Sequence, residues 1–113
     1  DLRFPVWMRN TNGTDLILLV ANWPAPRIQA WRSLLVARAI ENQCYVVGLN
    51  RTGEDGNKLL YTGDSIVVDP AGNMLMDAGQ SEGLFEVELD LEFLRVFRNK
   101  FPFLNDRDTF IIE

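Results

Sequence analysis

One stretch, residues 15–47, most limits the folds that this chain can adopt. It contains a continuous apolar run (residues 16–20), a polar joint with Asn22-Trp23-Pro24, a helical pattern at about residues 27–43 and a second apolar run from Cys44. A helix between two strands predicts a crossover between parallel strands, and the unbroken first run predicts a strand buried on both faces. Ligands bind such sheets beyond the carboxyl ends of the strands, so the joint is the first candidate functional site.

The pattern after this unit predicts a polar loop, a hairpin, another strand and a second helix. Residues 50–58 are polar throughout, whereas residues 66–68 and 74–76 are short apolar runs joined by a turn rich in Pro and Gly. Residues 85–89 alternate apolar and acidic side chains, which predicts a half-exposed strand. Asp90 has the position of a helix N-cap. The order predicts a single domain of the α/β (α+β) class.

This set of elements has too few helices to cover both faces of a buried sheet. We therefore expect residues 1–113 to be one part of a larger domain. The net charge of −5, without a Lys/Arg cluster, argues against a nucleic-acid partner. No apolar run approaches the roughly 18 residues of a membrane span, so no membrane partner is expected.

Histidine is absent from the chain, and cysteine occurs once. The first observation excludes a Ser-His-Asp site, a Cys-His site and a His-ligated metal within these residues. The single cysteine, Cys44, rules out an internal disulfide and fits a reducing, cytoplasmic environment. Because Cys44 begins an apolar strand with no nearby Lys, we interpret it as a core residue rather than a nucleophile.

A charged pair lies on the long helix. Arg38 falls among the apolar positions of the helical wheel, and Glu41 follows at i+3, within pairing reach. A buried charge without a partner is strongly destabilising. We favour a scaffold ion pair over direct catalysis for these two residues.

Six short motifs follow one another along the chain. They are Asp1-Leu2-Arg3-Phe4-Pro5, Val20-Ala21-Asn22-Trp23-Pro24, residues 37–47, Asn50-Arg51-Thr52-Gly53, Gly63-Asp64-Ser65 and Asp69-Pro70-Ala71-Gly72. In this order and spacing the chain resembles the carboxyl-terminal half of a nitrilase-superfamily carbon–nitrogen hydrolase, most closely the bacterial ω-amidase (2-oxoglutaramate amidase) branch. The resemblance implies that residues 1–113 are the carboxyl-terminal part of one hydrolase domain, whose complete fold is a four-layer α-β-β-α sandwich.

The resemblance also implies a chemistry. A Cys attacks the amide carbonyl of a small substrate such as 2-oxoglutaramate and forms a thioester, Glu serves as base and acid, and Lys with a backbone N–H stabilises the oxyanion. Water then releases the acid, and no metal or organic cofactor is implied. The family nucleophile stands two positions before the residue that matches Asp1, with Glu and Lys further upstream. We therefore expect no catalytic residue among residues 1–113, and no activity from them alone.

Supporting residues can be carried over from the matched motifs. Those expected to hold the elbow at the nucleophile are Asp1, Arg3, Phe4, Arg38 and Glu41. Those expected at the substrate pocket are Asn22, Trp23, Ala25, Trp31, Asn50 and Arg51. Either Arg27 or Arg51 is a candidate for a substrate carboxylate, and the sequence does not select between them.

Two alternatives remain open at this point. The chain could belong to a non-catalytic binding or assembly module on the same fold, or to a nitrilase or N-carbamoyl hydrolase with another substrate. The apolar tail at residues 110–112 predicts docking on another surface, which fits a homodimer or larger assembly.

Overall fold

In a computed structural model that describes all of residues 1–113, the chain is a mixed α/β unit built on a four-stranded sheet. Its strands and helices are β1 (Leu16–Ala21), α1 (Ile28–Asn42), β2 (Tyr45–Asn50), β3 (Thr52–Glu54), β4 (Leu60–Thr62), β5 (Ile66–Val68), β6 (Met74–Asp77) and α2 (Leu91–Lys100). Single 3₁₀ turns occur at Pro5–Met8, Ala25–Arg27 and Phe103–Asp106. Neither α-helix combines the length and apolarity that spanning a membrane requires.

The first three elements form the predicted crossover. β1 and β2 are parallel, with Leu16 opposite Tyr45 and Ala21 opposite Asn50. Between them α1 runs close to the predicted bounds and ends where Gln43 adopts a left-handed conformation at φ 44°. The N–H of Gln43 donates to carbonyls of the last helical turn, so the chain reverses directly into β2.

The core lies between α1 and one face of the main sheet. Its fully buried members are Trp31, Leu35, Ala39, Cys44, Val46, Ile66 and Val68. Helix and sheet are in close contact at Gly48, where an added Cβ would lie 2.4 Å from Cδ1 of Leu35 and 2.9 Å from Cζ2 of Trp31. Glycine at this position therefore sets the depth to which α1 packs on the sheet.

The prediction that the first strand is buried on both faces is wrong for this chain. Ile17 and Leu19 pack toward α1, but Leu18 and Val20 on the other face are 67% and 81% exposed. The reason is that α1 covers only one face of the sheet. On the other face lies an open groove of about 530 Å³.

The segment 85–89, predicted as a strand, has no strand pairing. Its alternation has a different origin, because Phe85, Val87 and Leu89 line the groove on the open sheet face while the intervening acidic residues are exposed. Burial of one side of the segment thus produces the alternating pattern of a strand, although no neighbouring strand forms backbone hydrogen bonds with it.

The two hairpins differ in how well they were anticipated. β5 and β6 pair antiparallel as predicted, and the Asp69 carboxylate closes their turn by accepting from the backbone N–H groups of Ala71 and Asn73, each at 2.9 Å. The polar loop predicted at residues 50–58 is instead largely part of a second hairpin, in which β3 pairs with β4.

Helix α2 lies at the end of the sheet where β1 and β2 begin. Its N-cap is Asp90, as predicted, whose carboxylate accepts from Phe93 N at 2.9 Å. Near its end, Arg98 donates to the carbonyls of Gln43 (2.8 Å) and Thr14 (2.6 Å). Because α2 is fixed there, the opposite end, where β1 and β2 finish, stays free for a functional site.

Candidate functional site

The candidate site lies where the carboxyl ends of β1 and β2 meet. Since Ala21 is paired with Asn50, the joint Asn22-Trp23-Pro24 and Arg51 leave the sheet side by side. This is the edge at which parallel strands present ligand sites.

Asn50 ties the joint to the rest of the fold. Its Oδ1 accepts from Trp23 N at 2.7 Å, and its Nδ2 donates to Trp23 O at 2.9 Å and to Gly63 O at 2.8 Å. The residue is only 7% exposed. Asn50, predicted as a pocket residue, is among the residues that line the groove on the open sheet face, and its amide bonds to backbone groups that shape the joint.

The indole of Trp23 is held on three sides. Its Nε1 donates to Arg27 O at 2.6 Å, its ring centroid lies 5.7 Å from that of Trp31, and the Arg3 guanidinium lies 5.1 Å above it. The contact with Arg3 joins a residue predicted for the elbow to a residue predicted for the pocket loop. A cation over an indole face is an attractive arrangement.

Trp31 supports the Trp23 indole from inside the core. It is fully buried, and its Nε1 donates to Asp64 O at 2.8 Å. Trp31 is predicted to lie at the pocket, but it has no open surface, so any influence on a ligand passes through its packing against Trp23.

Arg38 holds the amino-terminal segment. Its Nε and Nη2 donate to Leu2 O at 3.0 and 2.6 Å, and its Nη1 donates to Glu41 Oε1 at 3.1 Å. The predicted ion pair is therefore present, with the guanidinium buried and the carboxylate partly in solvent. A turn in which Phe4 N donates to Asp1 O at 3.0 Å completes the local structure, and both side chains in that turn are exposed.

The remaining predicted pocket residues are Asn22, Ala25 and Arg51, of which Arg51 lines the groove on the open sheet face. Asn22 is exposed, Ala25 begins the 3₁₀ turn before α1, and the exposed guanidinium of Arg51 lies 4.6 Å over the Tyr61 ring. No three acidic or thiol side chains are grouped closely enough to share a metal ion.

Cys44 lies at the other end of β2 from this site. It is fully buried, and burial is the main reason that the pKa of its thiol is raised to about 11. A thiol with that pKa is almost entirely protonated at neutral pH and is a poor nucleophile. The interpretation of Cys44 as a core residue is confirmed.

One part of the arrangement was not assigned a role from the sequence. Arg32 of α1 donates to Asp64 Oδ1 and to Asp77 Oδ1, each at 3.0 Å, and makes a second contact with Asp77 Oδ2. The hydrogen bond from Arg32 is the main cause of a lowered pKa at Asp77. The Gly63-Asp64-Ser65 motif was the only available signal, because it singled out Asp64 without indicating its partners.

Comparison with known proteins identifies the family. The carbon–nitrogen hydrolase family matches residues 1–99. Omega-amidase YafV of Escherichia coli K12 is 53% identical over 111 residues, which are 97% of this chain and 43% of the relative. The 2-oxoglutaramate amidase of Bacillus subtilis 168 is 41% identical over 108 residues, or 94% of this chain and 41% of the relative. The chain thus spans less than half the length of these curated relatives.

Solved structures agree with this assignment. XC1258 from Xanthomonas campestris, described as a CN-hydrolase superfamily protein with an arsenic adduct in its active site, superposes with a TM-score of 0.95 at 42% identity, over 100% of this chain and 46% of its own. The NitFhit protein of C. elegans gives a TM-score of 0.85 at 34% identity, over 95% of this chain and 27% of its own. Sequence and fold agree along nearly the whole length, and the chain therefore belongs to the carbon–nitrogen hydrolase family.

Proposed function

We propose that the protein is an amidase that hydrolyses small ω-amides, such as 2-oxoglutaramate, to the acid and ammonia, and that residues 1–113 form the carboxyl-terminal part of its catalytic domain. The observation that carries this proposal is the match of almost the entire chain to proteins named omega-amidase and 2-oxoglutaramate amidase. The joint at Trp23 is the feature of this chain that we assign to the substrate.

In this proposal the reacting groups of the enzyme lie outside residues 1–113. A Cys, a Glu and a Lys elsewhere in the domain form and hydrolyse the thioester, within a four-layer α-β-β-α sandwich. Residues 1–113 supply one wall of the pocket through Trp23 and fix the backbone beside the nucleophile through the bonds from Arg38 to Leu2 O. One observation supports this division: Cys44, the one cysteine of the chain, is buried and the pKa of its thiol is raised.

An ω-amide such as 2-oxoglutaramate carries a carboxylate at the end opposite its amide. Arg51 and Arg27 are both exposed and flank the joint, so each can reach an anion at this edge. A guanidinium is well suited to a carboxylate because it donates two parallel hydrogen bonds. We expect Arg51→Ala or Arg27→Ala, whichever removes the true partner, to raise KM for the carboxylated amide but not for an uncharged amide of the same length.

We also propose that the protein acts in the cytoplasm as a homodimer or larger assembly. The support for assembly is the apolar tail, in which Phe110, Ile111 and Ile112 all remain exposed. Light scattering after size-exclusion chromatography of the full-length protein tests the oligomer, and a monomeric mass would refute it. Cell fractionation tests the location.

The function itself is tested by measuring ammonia released by the full-length protein from 2-oxoglutaramate. Parallel reactions contain an aliphatic nitrile and an N-carbamoyl amino acid, the substrates of the alternative enzymes. Preferential release from the ω-amide supports the proposal. Preference for either other substrate reassigns the branch, and no turnover of any of the three, by a folded protein, favours a binding or assembly module.

A further inference from the structure

The turn between β4 and β5 has an unusual backbone. Gly63 and Asp64 both have positive φ, at 78° and 55°. Glycine adopts this conformation readily, but for aspartate it is less favourable and persists only where the surroundings enforce it. Asp64 must therefore be held in place by its contacts.

Four hydrogen bonds hold Asp64. Its N–H donates to Gly79 O at 2.7 Å, and its carbonyl accepts from Trp31 Nε1 at 2.8 Å. Its carboxylate accepts from Thr62 Oγ1 at 2.9 Å and from Arg32 Nη1 at 3.0 Å. Only the bond from Arg32 joins two charged groups, so it is expected to be the stronger of the two side-chain restraints.

Arg32 connects this turn to two other elements. It projects from α1 and bonds to both oxygens of Asp77, the last residue of β6, as well as to Asp64. The Arg32 side chain is 25% exposed and that of Asp64 is 15% exposed, so solvent screens the pair only in part. The guanidinium therefore fixes the turn relative to both the helix and the sheet edge.

The turn is connected to Trp23 by two routes. In the first, Gly63 O accepts from Asn50 Nδ2 and Ser65 Oγ accepts from Asn50 N, and the same Asn50 side chain binds both backbone polar groups of Trp23. In the second, Trp31 bonds to Asp64 O and packs against the Trp23 ring. A shift of the turn displaces the groups that hold Trp23.

We propose that Arg32 and Asp64 are positioning residues for the amide substrate, which act on the Trp23 wall through the turn, Asn50 and Trp31. The part of this inference that concerns substrate rests on the proposed function. The mechanical part, coupling of Arg32 to Trp23, stands on the contacts alone. Neither residue is expected to touch the substrate.

The test uses the full-length protein and its Arg32→Ala variant. Two quantities are measured: steady-state kinetics with 2-oxoglutaramate, and hydrogen–deuterium exchange of the Trp23 amide, which donates to Asn50. We expect KM to rise about fivefold, which is the factor that corresponds to the loss of about one net hydrogen bond. The change in kcat should be smaller. The exchange rate of the Trp23 amide should also increase about fivefold. Arg95→Ala is the matched control, because it removes an exposed ion pair with Glu92 on α2, and should change neither quantity.

The outcomes separate positioning from a merely structural role. If Arg32→Ala lowers the melting temperature but leaves Trp23 exchange and KM at wild-type values, the proposal is refuted. Arg32→Lys keeps the charge but not the two-pronged geometry, so we expect it to restore part of the loss. If Arg32→Ala does not fold, Arg32→Lys and Asp64→Asn are measured in the same way, and unchanged exchange in both overturns the proposal. If the wild-type protein hydrolyses no amide, the proposed function fails, and Trp23 exchange alone decides the coupling.

Discussion

Replacing Arg38 with Ala tests how the amino-terminal segment is held. Arg38 is 4% exposed, and its guanidinium donates two hydrogen bonds, of 3.0 and 2.6 Å, to the buried carbonyl of Leu2. Hydrogen bonds to a charged group contribute about 1.5–3 kcal/mol each, and two on one acceptor are not additive. We therefore expect Arg38→Ala to lower the free energy of unfolding by about 3 kcal/mol, because Leu2 O is left buried without a partner.

Glu41 is expected to add little to this loss. Its side chain is 43% exposed, so it regains water when Arg38 is removed. Glu41→Gln should for this reason lower the unfolding free energy by less than about 1 kcal/mol, the range of a solvent-exposed ion pair. The difference between the two variants isolates the bonds to Leu2 O.

The assay is urea denaturation of the full-length protein, followed by circular dichroism, with thermal melting as a second readout. A loss of about 3 kcal/mol corresponds to a fall in melting temperature of about 6–12 °C for a domain of about 150–250 residues. Arg95→Ala serves as the control on the exposed surface of α2. If Arg38→Ala is as stable as that control, the bonds to Leu2 O do not stabilise the fold. Lost turnover with an unchanged melting temperature would overturn the scaffold role in favour of a direct catalytic one.

Three further experiments have defined expected outcomes. Gly48→Ala places a methyl group 2.4 Å from Leu35 Cδ1, and we expect a loss of about 1–3 kcal/mol in urea denaturation from overpacking; unchanged stability would show that α1 shifts freely. Cys44, buried with its pKa raised to about 11, should resist a thiol reagent at pH 8 until the protein unfolds, as peptide mapping reports; full labelling of the folded protein would contradict its placement. The bond from Arg32 lowers the pKa of Asp77 below the ordinary 3.8, so this stabilisation is complete above that value and is lost as pH falls through the lowered pKa. Asp77→Asn should consequently reduce stability at pH 7 and make it less sensitive to acid below pH 3.8, and an unchanged acid dependence would refute the assignment.

Local patterns in the sequence predicted the elements whose signals are local. The apolar runs flanking a 3.6-residue pattern predicted β1, α1 and β2, and the position of Asp90 predicted the start of α2. The segment 85–89 shows where such reasoning ends. Alternation reports that one side of a segment is buried, but it does not report whether another strand lies beside it.

The short hairpin of β3 and β4 could not be predicted for a related reason. Its strands are three residues each and largely polar, so their pairing depends on backbone hydrogen bonds without an apolar pattern. The open face of the sheet was anticipated from the shortage of helices, but the apolar run of β1 did not show that this strand lies on it, since such a run is the same whether or not a second layer covers it.

In the candidate site too, contacts between residues close in sequence were predicted, and contacts between distant residues were not. Arg38 and Glu41 are three residues apart, so helical geometry predicted their contact. Arg32 and its partners Asp64 and Asp77 are 32 and 45 residues apart, and no spacing rule connects them. Asn50 was placed correctly at the strand end, but only the fold shows that its amide serves the backbone of Trp23.

Under the proposed function, residues 1–113 frame the pocket of an amidase whose nucleophile lies outside them. The most direct test is to quench the full-length protein with acid during turnover of 2-oxoglutaramate and to locate the acyl adduct by peptide mass mapping. We expect a thioester on a cysteine outside residues 1–113, with Cys44 unmodified. An acyl group on Cys44, or loss of the adduct in a folded Cys44→Ala variant, would contradict the account.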